Sequence, residues 1–211
     1  MNQQIIIKIF EKFKQNNPNP KSELSAPNDY TFCISVLLSA QTTDKSVNKV
    51  TEELFKIADT PEKILGIGED KLKNYIKSLG FFNVKAKNIM LLSKFLVEKY
   101  QSNIPNKREE LEKLPGIGRK SANVILNRIF NFNFIGVDTH VLRVSNRIGL
   151  TTCETPMKVE QDLIKIVPIE FHKNASDWLV LHGRYVCVAR KPKCSECFLK
   201  EFCKFATSSN L

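Results

Sequence analysis

Four cysteines near the C-terminus, in "CVARKPKCSECFLKEFC" (187–203), follow the spacing C-x6-C-x2-C-x5-C over Cys187, Cys194, Cys197 and Cys203. Thiols grouped in this way suit two disulfides, a zinc ion or an iron-sulfur cluster. Structural zinc sites usually present two short knuckles separated by a longer span, which this string lacks, and four thiolates are also the usual ligand set of an iron-sulfur cube. Further upstream, Lys120 follows a Gly-Ile-Gly turn in the first turn of a helix. A lysine is a nucleophile only as the neutral amine, and both the positive end of the helix dipole and the adjacent Arg119 disfavour a second cation there. The same position equally suits a lysine that grips phosphate. In "GVDTHVLRVSNRIG" (136–149), Asp138 stands as an N-cap. A carboxylate fixed by capping bonds stays ionised and could stabilise positive charge developing on a sugar, although capping alone explains most such aspartates. His140 and His182 belong to no metal-spaced pair and read as packed or hydrogen-bonded residues. Cys33 and Cys153 read as core or surface thiols.

The elements that position these residues are helices. Apolar residues recur at helical spacing, as in Val47, Val50, Leu54 and Ile57 or Ile89, Leu92, Phe95 and Leu96, and strict alternation is hard to find. The fold reads as all-α, with around ten short helices. Starts are marked at Asp29, Asp44, Thr60-Pro61, Asp138 and Thr155-Pro156. "ILGIGEDKLKNYI" (64–76) and "KLPGIGRKSANVIL" (113–126) both read as helix, Gly-Ile-Gly turn, helix. The glycines Gly116 and Gly118 permit backbone angles that other residues resist, and the amides opening the next helix can hold a phosphate. A tight helical hairpin with no ligand is the alternative. The pair Arg119-Lys120 tilts the second copy towards DNA, while Glu69-Asp70 makes the first copy structural.

The chain has 211 residues, 32 Lys+Arg against 22 Asp+Glu and a formal charge of +10, a balance that suits a folded protein with a polyanionic partner. A Lys-rich genome would also produce it. "MNQQIIIKIFEKFK" does not read as a signal peptide, and no apolar run reaches membrane-helix length. The expectation is a soluble, cytoplasmic protein, and a reducing compartment favours metal ligands over disulfides. Arg190, Lys191 and Lys193 lie between the first two cysteines of the group, placed to meet a phosphate backbone.

Together, "LPGIGRKSANVIL", "VDTHVLRVSNR", "LHGRYVCVARKPKCSECFLKEFC" and "LLSAQTTD" resemble the endonuclease III family of bacterial DNA glycosylases with lyase activity, from about residue 20 to 203. The resemblance implies that the four cysteines hold a 4Fe-4S cluster that orders the basic loop. It implies a two-lobed helix-hairpin-helix fold: a six-helix domain at 22–132, and an iron-sulfur cluster domain of 1–21 plus 133–211, with DNA in the cleft between them. The implied substrate is double-stranded DNA carrying an oxidised or ring-saturated pyrimidine or an abasic site. The implied protein is a monomer that works at the nucleoid. Lys120 would displace the base and form a Schiff base that permits β-elimination, with Asp138 supporting it. Glu112 is a pocket candidate, or equally a solvated helix charge. Gly116 and Gly118 would contact phosphate. Gln41 would fill the gap left by a flipped nucleotide, and Phe81, where the family usually has Leu, would wedge into the opposite strand. Phe81 and Phe82 read equally as core aromatics.

Two other functions compete. The adenine glycosylases of the same superfamily share the cysteine spacing and the aspartate. They lack a lysine at the Lys120 position and carry a further C-terminal domain, for which no room is expected after Cys203. A non-catalytic iron-sulfur module that binds DNA would leave the Lys120 and Asp138 pair coincidental. The cluster reading predicts a brown preparation absorbing in the visible, whereas a colourless protein carrying stoichiometric zinc would restore the zinc site.

Overall fold

The computed structural model describes residues 1–20 and 22–208. Lys21 and 209–211, at the expected ends of the two parts of the cluster domain, lie outside the described residues. The fold is all-helical, with twelve α-helices and two one-turn 3-10 segments among the described residues. None of these helices is long and apolar enough to cross a membrane. The chain divides into two compact units, Ser22–Phe130 and Met1–Lys21 with Asn131–Leu211.

The 22–130 unit is built around α2 (Asp29–Leu38), which is buried from Tyr30 to Leu38 and so meets neighbours on every side. Helices α3 (Asp44–Ile57), α6 (Phe82–Tyr100) and α8 (Arg119–Phe130) pack on it, while α4 (Pro61–Ile67) and α5 (Glu69–Ile76) cover α6. The single turn α7 (Arg108–Leu111) leads into the turn before α8. Two caps fall one residue earlier than the sequence reading placed the helix starts. Asn28 closes a capping box with Thr31, and the Thr43 hydroxyl accepts from the Ser46 N–H, so Asp29 and Asp44 are first-turn acids. Thr60 caps α4 as expected.

The two Gly-Ile-Gly segments fold differently. Gly66 and Ile67 continue α4, and the turn shrinks to Gly68, which has φ 78°. In the second segment the whole Gly116-Ile117-Gly118 stretch lies between α7 and α8. Ile117 is buried and its N–H donates to Leu114 O at 3.0 Å, which pins the turn.

The other unit gathers α1 (Gln3–Asn16), α9 (Thr139–Ile148), α10 (Pro156–Ile166), α11 (Ile169–Tyr185) and α12 (Lys204–Ser208). Phe10 and Phe13 of α1 stack against Phe171 and Trp178 of α11, and the Trp178 indole N–H donates to Asn17 O at 2.7 Å. Gly183 lets α11 approach α9: a Cβ there would stand 3.0 Å from the His140 Cβ.

Gly116 has φ 83°, and a Cβ there would lie 2.9 Å from Leu37 Cδ1 and 3.0 Å from Asn88 Nδ2. Gly116→Ala is expected to lower stability by about 1–3 kcal/mol. Gly118→Ala, with open space around the glycine and no positive φ, should cost under about 1 kcal/mol. Denaturant unfolding of the two variants beside the parent measures the difference.

Candidate functional site

In the 22–130 unit the Gly116–Gly118 turn delivers the chain into α8. The Gly118 carbonyl accepts the first helical bond, from the Ala122 N–H at 2.9 Å. The N–H groups of the first turn have no acceptor within the helix, and here they belong to a cationic start, with Arg119 and Lys120 half-buried as its first two residues. That combination suits an anion such as a phosphodiester. Glu112 is exposed and stands 3.7 Å from Arg108 Nε, a weak surface pair.

Gln41 and Phe81 share an unusual backbone. Both hold left-handed φ values, 53° and 58°, a region that non-glycine residues seldom occupy. Phe81 is 66 % exposed, so it is no core aromatic, whereas Phe82 is half-buried. Lys85 Nζ, one turn into the helix that Phe81 opens, donates to Thr42 Oγ1 beside Gln41 at 2.7 Å. Lys191, in the basic loop, is also left-handed at φ 52°.

In the other unit, Asp138 caps α9. One carboxylate oxygen, Oδ1, accepts from the His140 N–H at 2.8 Å and the Val141 N–H at 2.9 Å, and Oδ2 takes no part in the cap. The helix then carries His140, Arg143 and Arg147 at three- and four-residue spacing on one face. Arg143 Nη2 lies 3.2 Å from His140 Nδ1 and donates to Gly183 O at 2.8 Å, while its Nε donates to Cys187 O at 3.2 Å. Arg147 donates to Val188 O at 2.8 Å and Ala189 O at 2.9 Å, and its Nη1 lies 3.5 Å from Cys187 Sγ. A chain of polar contacts therefore runs from the Asp138 cap to the first cysteine of the group.

None of the six cysteines forms a disulfide. Cys187, Cys194, Cys197 and Cys203 line one pocket, with His182, Leu199 and Phe205 among its other walls. Burial pushes the Cys197 thiol up, and the charges of the other three cysteines push it further in the same direction. The four sulfurs are close enough to feel one another and would be relieved by a shared cationic load. Among the described residues, however, no three Cys, His, Asp or Glu side chains are gathered as ligands of one metal ion. Four thiolates on a single zinc would stand about 3.8 Å apart. Four thiolates are the usual ligand set of an iron-sulfur cluster, and all four cysteines line this pocket. His182 is buried, its pKa is depressed to about 4 by desolvation, and its Nε2 stands 3.5 Å from Cys197 Sγ. Arg190, Lys191 and Lys193 are exposed on the loop between Cys187 and Cys194.

Reasoning from sequence missed Lys85, Arg143 and Arg147. The two arginines had a signal in their shared helical face with His140. Lys85 had none, because lysine is expected at the surface.

The family model for HhH-GPD superfamily base excision DNA repair proteins matches residues 34–168. The model for the iron-sulfur binding domain of endonuclease III matches 187–203. Endonuclease III of Rickettsia conorii is 55% identical over 205 residues, covering 97% of this chain and 98% of that protein. Endonuclease III of Escherichia coli is 43% identical, covering 97% of each. Among solved structures, a trapped covalent intermediate of endonuclease III with DNA superposes at TM-score 0.94 and 37% identity, over 100% of both chains. A thermostable thymine-DNA glycosylase superposes at TM-score 0.85 and 20% identity, covering 98% of this chain and 97% of its own, a likeness of fold.

Arg147→Ala removes two carbonyl contacts and a sulfur contact from the loop that follows Cys187. Limited trypsinolysis should cut after Arg190 or Lys193 about tenfold faster in the variant, since local opening no longer breaks charge-assisted bonds. Mass spectrometry of the fragments reads the rate.

Proposed function

The chain belongs to the endonuclease III family of the HhH-GPD superfamily, and from that premise we propose that it is a base excision repair DNA glycosylase with abasic-site lyase activity. Its substrates are duplex DNA bearing oxidised or ring-saturated pyrimidines, and abasic sites. The observation that carries the reading is full-length likeness to a protein caught covalently on DNA, joined to a lysine at the start of the helix behind a Gly-Ile-Gly turn. In this reading residues 22–130 are the helix-hairpin-helix domain and the rest is the cluster domain. The enzyme acts as a monomer in the cytoplasm, at the nucleoid.

A damaged pyrimidine stacks and pairs poorly, so turning it out of the helix costs less than for a normal base. Backbone amides at Gly116 and Gly118, with Arg119, hold the phosphodiester without reading sequence. Gln41 occupies the vacated place in the stack, and Phe81, an exposed aromatic ring, wedges into the opposite strand. The neutral amine of Lys120 then attacks C1′, forming a C–N bond as the bond to the base breaks. Asp138 stabilises positive charge on the sugar and handles protons through Oδ2, the oxygen its cap leaves unused. The C1′–O4′ bond then breaks, O4′ taking up a proton as the sugar ring opens, and the imine so formed acidifies the C2′ proton, whose loss expels the 3′ phosphate. Glu112, exposed on the surface, serves as a helix charge.

Cys187, Cys194, Cys197 and Cys203 hold a 4Fe-4S cluster, which supplies four metal–thiolate bonds that fix the loop carrying Arg190, Lys191 and Lys193. Those three cations meet the phosphate backbone, and binding should weaken steeply as salt rises.

Borohydride trapping on duplexes with an abasic site or thymine glycol is expected to yield a covalent adduct. Lys120→Ala should lose both the adduct and strand cleavage while still binding duplex. Asp138→Asn should slow base release by about 10²-fold or more. An adduct of undiminished yield on Lys120→Ala would move the nucleophile to another amine, and turnover confined to adenine opposite 8-oxoguanine would move the chain to the adenine glycosylases.

A further inference from the structure

The 22–130 unit buries a lysine. Lys85 is 5 % exposed, although it stands in the first turns of α6, where the helix dipole already disfavours a cation. Burial lowers its pKa, and no acidic group among the described residues offsets that desolvation. A leucine or methionine would pack there more cheaply, because a buried ammonium costs stability unless its hydrogen bonds repay it. Packing alone therefore does not explain the lysine.

Its contacts lie between the two loops that carry the stack-filling residues. The Lys85 ammonium donates to Thr42 Oγ1 at 2.7 Å, and Thr42 adjoins Gln41. The Lys85 backbone N–H donates to Phe81 O at 3.0 Å, the first helical bond of α6, so the ammonium rides one turn beyond Phe81 on the helix that Phe81 opens. Gln41 and Phe81 are exposed, and both are held at left-handed φ, a conformation that persists only where surrounding structure enforces it.

We propose that Lys85 is a positioning residue that clamps the Gln41 loop to the Phe81 turn, so that the two side chains enter the DNA stack as one unit when a damaged nucleotide leaves it. This rests on the reading of the protein as a base-flipping lyase. Lys85 touches neither substrate nor reacting atoms. It sets the separation at which one residue fills the gap and the other wedges the opposite strand. Cutting the clamp leaves phosphate gripping at the Gly116–Gly118 turn untouched.

The test uses the cluster-loaded full chain and three variants: Lys85→Met, which keeps the stem and removes the amine, Thr42→Val, and the double variant. A 2-aminopurine opposite thymine glycol reports entry into the stack, and single-turnover base release at saturating enzyme reports its consequence. Each single variant is expected to lose the fluorescence rise and to release base about tenfold more slowly, as small misplacements do. The double variant should be no slower than the worse single one, and binding to undamaged duplex should stay within about twofold. Lys85→Met with parental fluorescence and rate overturns the clamp, as does a double variant whose losses multiply. If Lys85→Met fails to fold, as a thermal transition would reveal, Thr42→Val alone decides, and a parental rate there overturns the clamp. A parent that releases no base and traps no adduct refutes the enzymatic reading itself, whereas an active parent with indifferent variants refutes only Lys85.

Discussion

Two guanidinium groups on one helix hold the chain where the cysteines begin, and the cluster domain depends on that grip. The carbonyl of Gly183 lies in the last turn of α11 and those of Cys187, Val188 and Ala189 follow its end, where no further helical turn supplies donors. Left without partners they would cost free energy, and bonded to arginine they receive the stronger, charge-assisted kind of hydrogen bond. Because Arg143 and Arg147 share a face of α9, the loop is registered against a rigid rod rather than against another loop. At the start of the same rod, Asp138 fixes its carboxylate on the first-turn amides. One helix thus aims a carboxylate at its N-terminus and anchors the ligand loop along its side.

The 22–130 unit solves a different problem, that of holding exposed residues in conformations they resist. Gln41 and Phe81 have neither burial nor a missing Cβ to make left-handed angles easy. The restraint comes from below, through a buried lysine that is bonded to the Gln41 loop and rides on the first turn of α6, the helix that Phe81 opens. Gly116 completes the arrangement by letting its turn settle against Leu37 and Asn88, side chains of α2 and α6. The three loops therefore all bear on α6, and relative displacement among them means disturbing a helix that packs on the buried α2.

What the sequence disclosed was mostly local. The Asp138 cap is a contact across two and three residues, and the apolar spacing of α3 and α6 follows from helical period alone. The cysteine group was legible because thiols so close in sequence cannot be far apart in space. The first Gly-Ile-Gly segment misled for the complementary reason: glycine permits a turn without requiring one, and α4 simply runs through Gly66. Contacts across long separations were illegible. Arg143 and Arg147 meet carbonyls some forty residues away, and a main-chain acceptor has no residue type to recognise. Lys85 was hidden because its amine meets a threonine 43 residues distant. Phe81 could not be placed inside or outside, since one aromatic at a helix start has no phase to read.

The polypeptide begins in one unit, leaves to build the other, and returns. During synthesis, α1 emerges first with Ile6, Ile9, Phe10 and Phe13 ready for burial, yet Phe171 and Trp178 arrive only after the whole of 22–130 has been made. The intervening unit is compact by itself and can close while the ribosome is still working. The first helix must wait, an apolar stripe without a partner, and the cysteines come later still. A nascent chain halted before residue 169 would own a finished 22–130 unit and an unfinished half that exposes its own earliest residues, a mark by which quality control could tell incomplete product from complete.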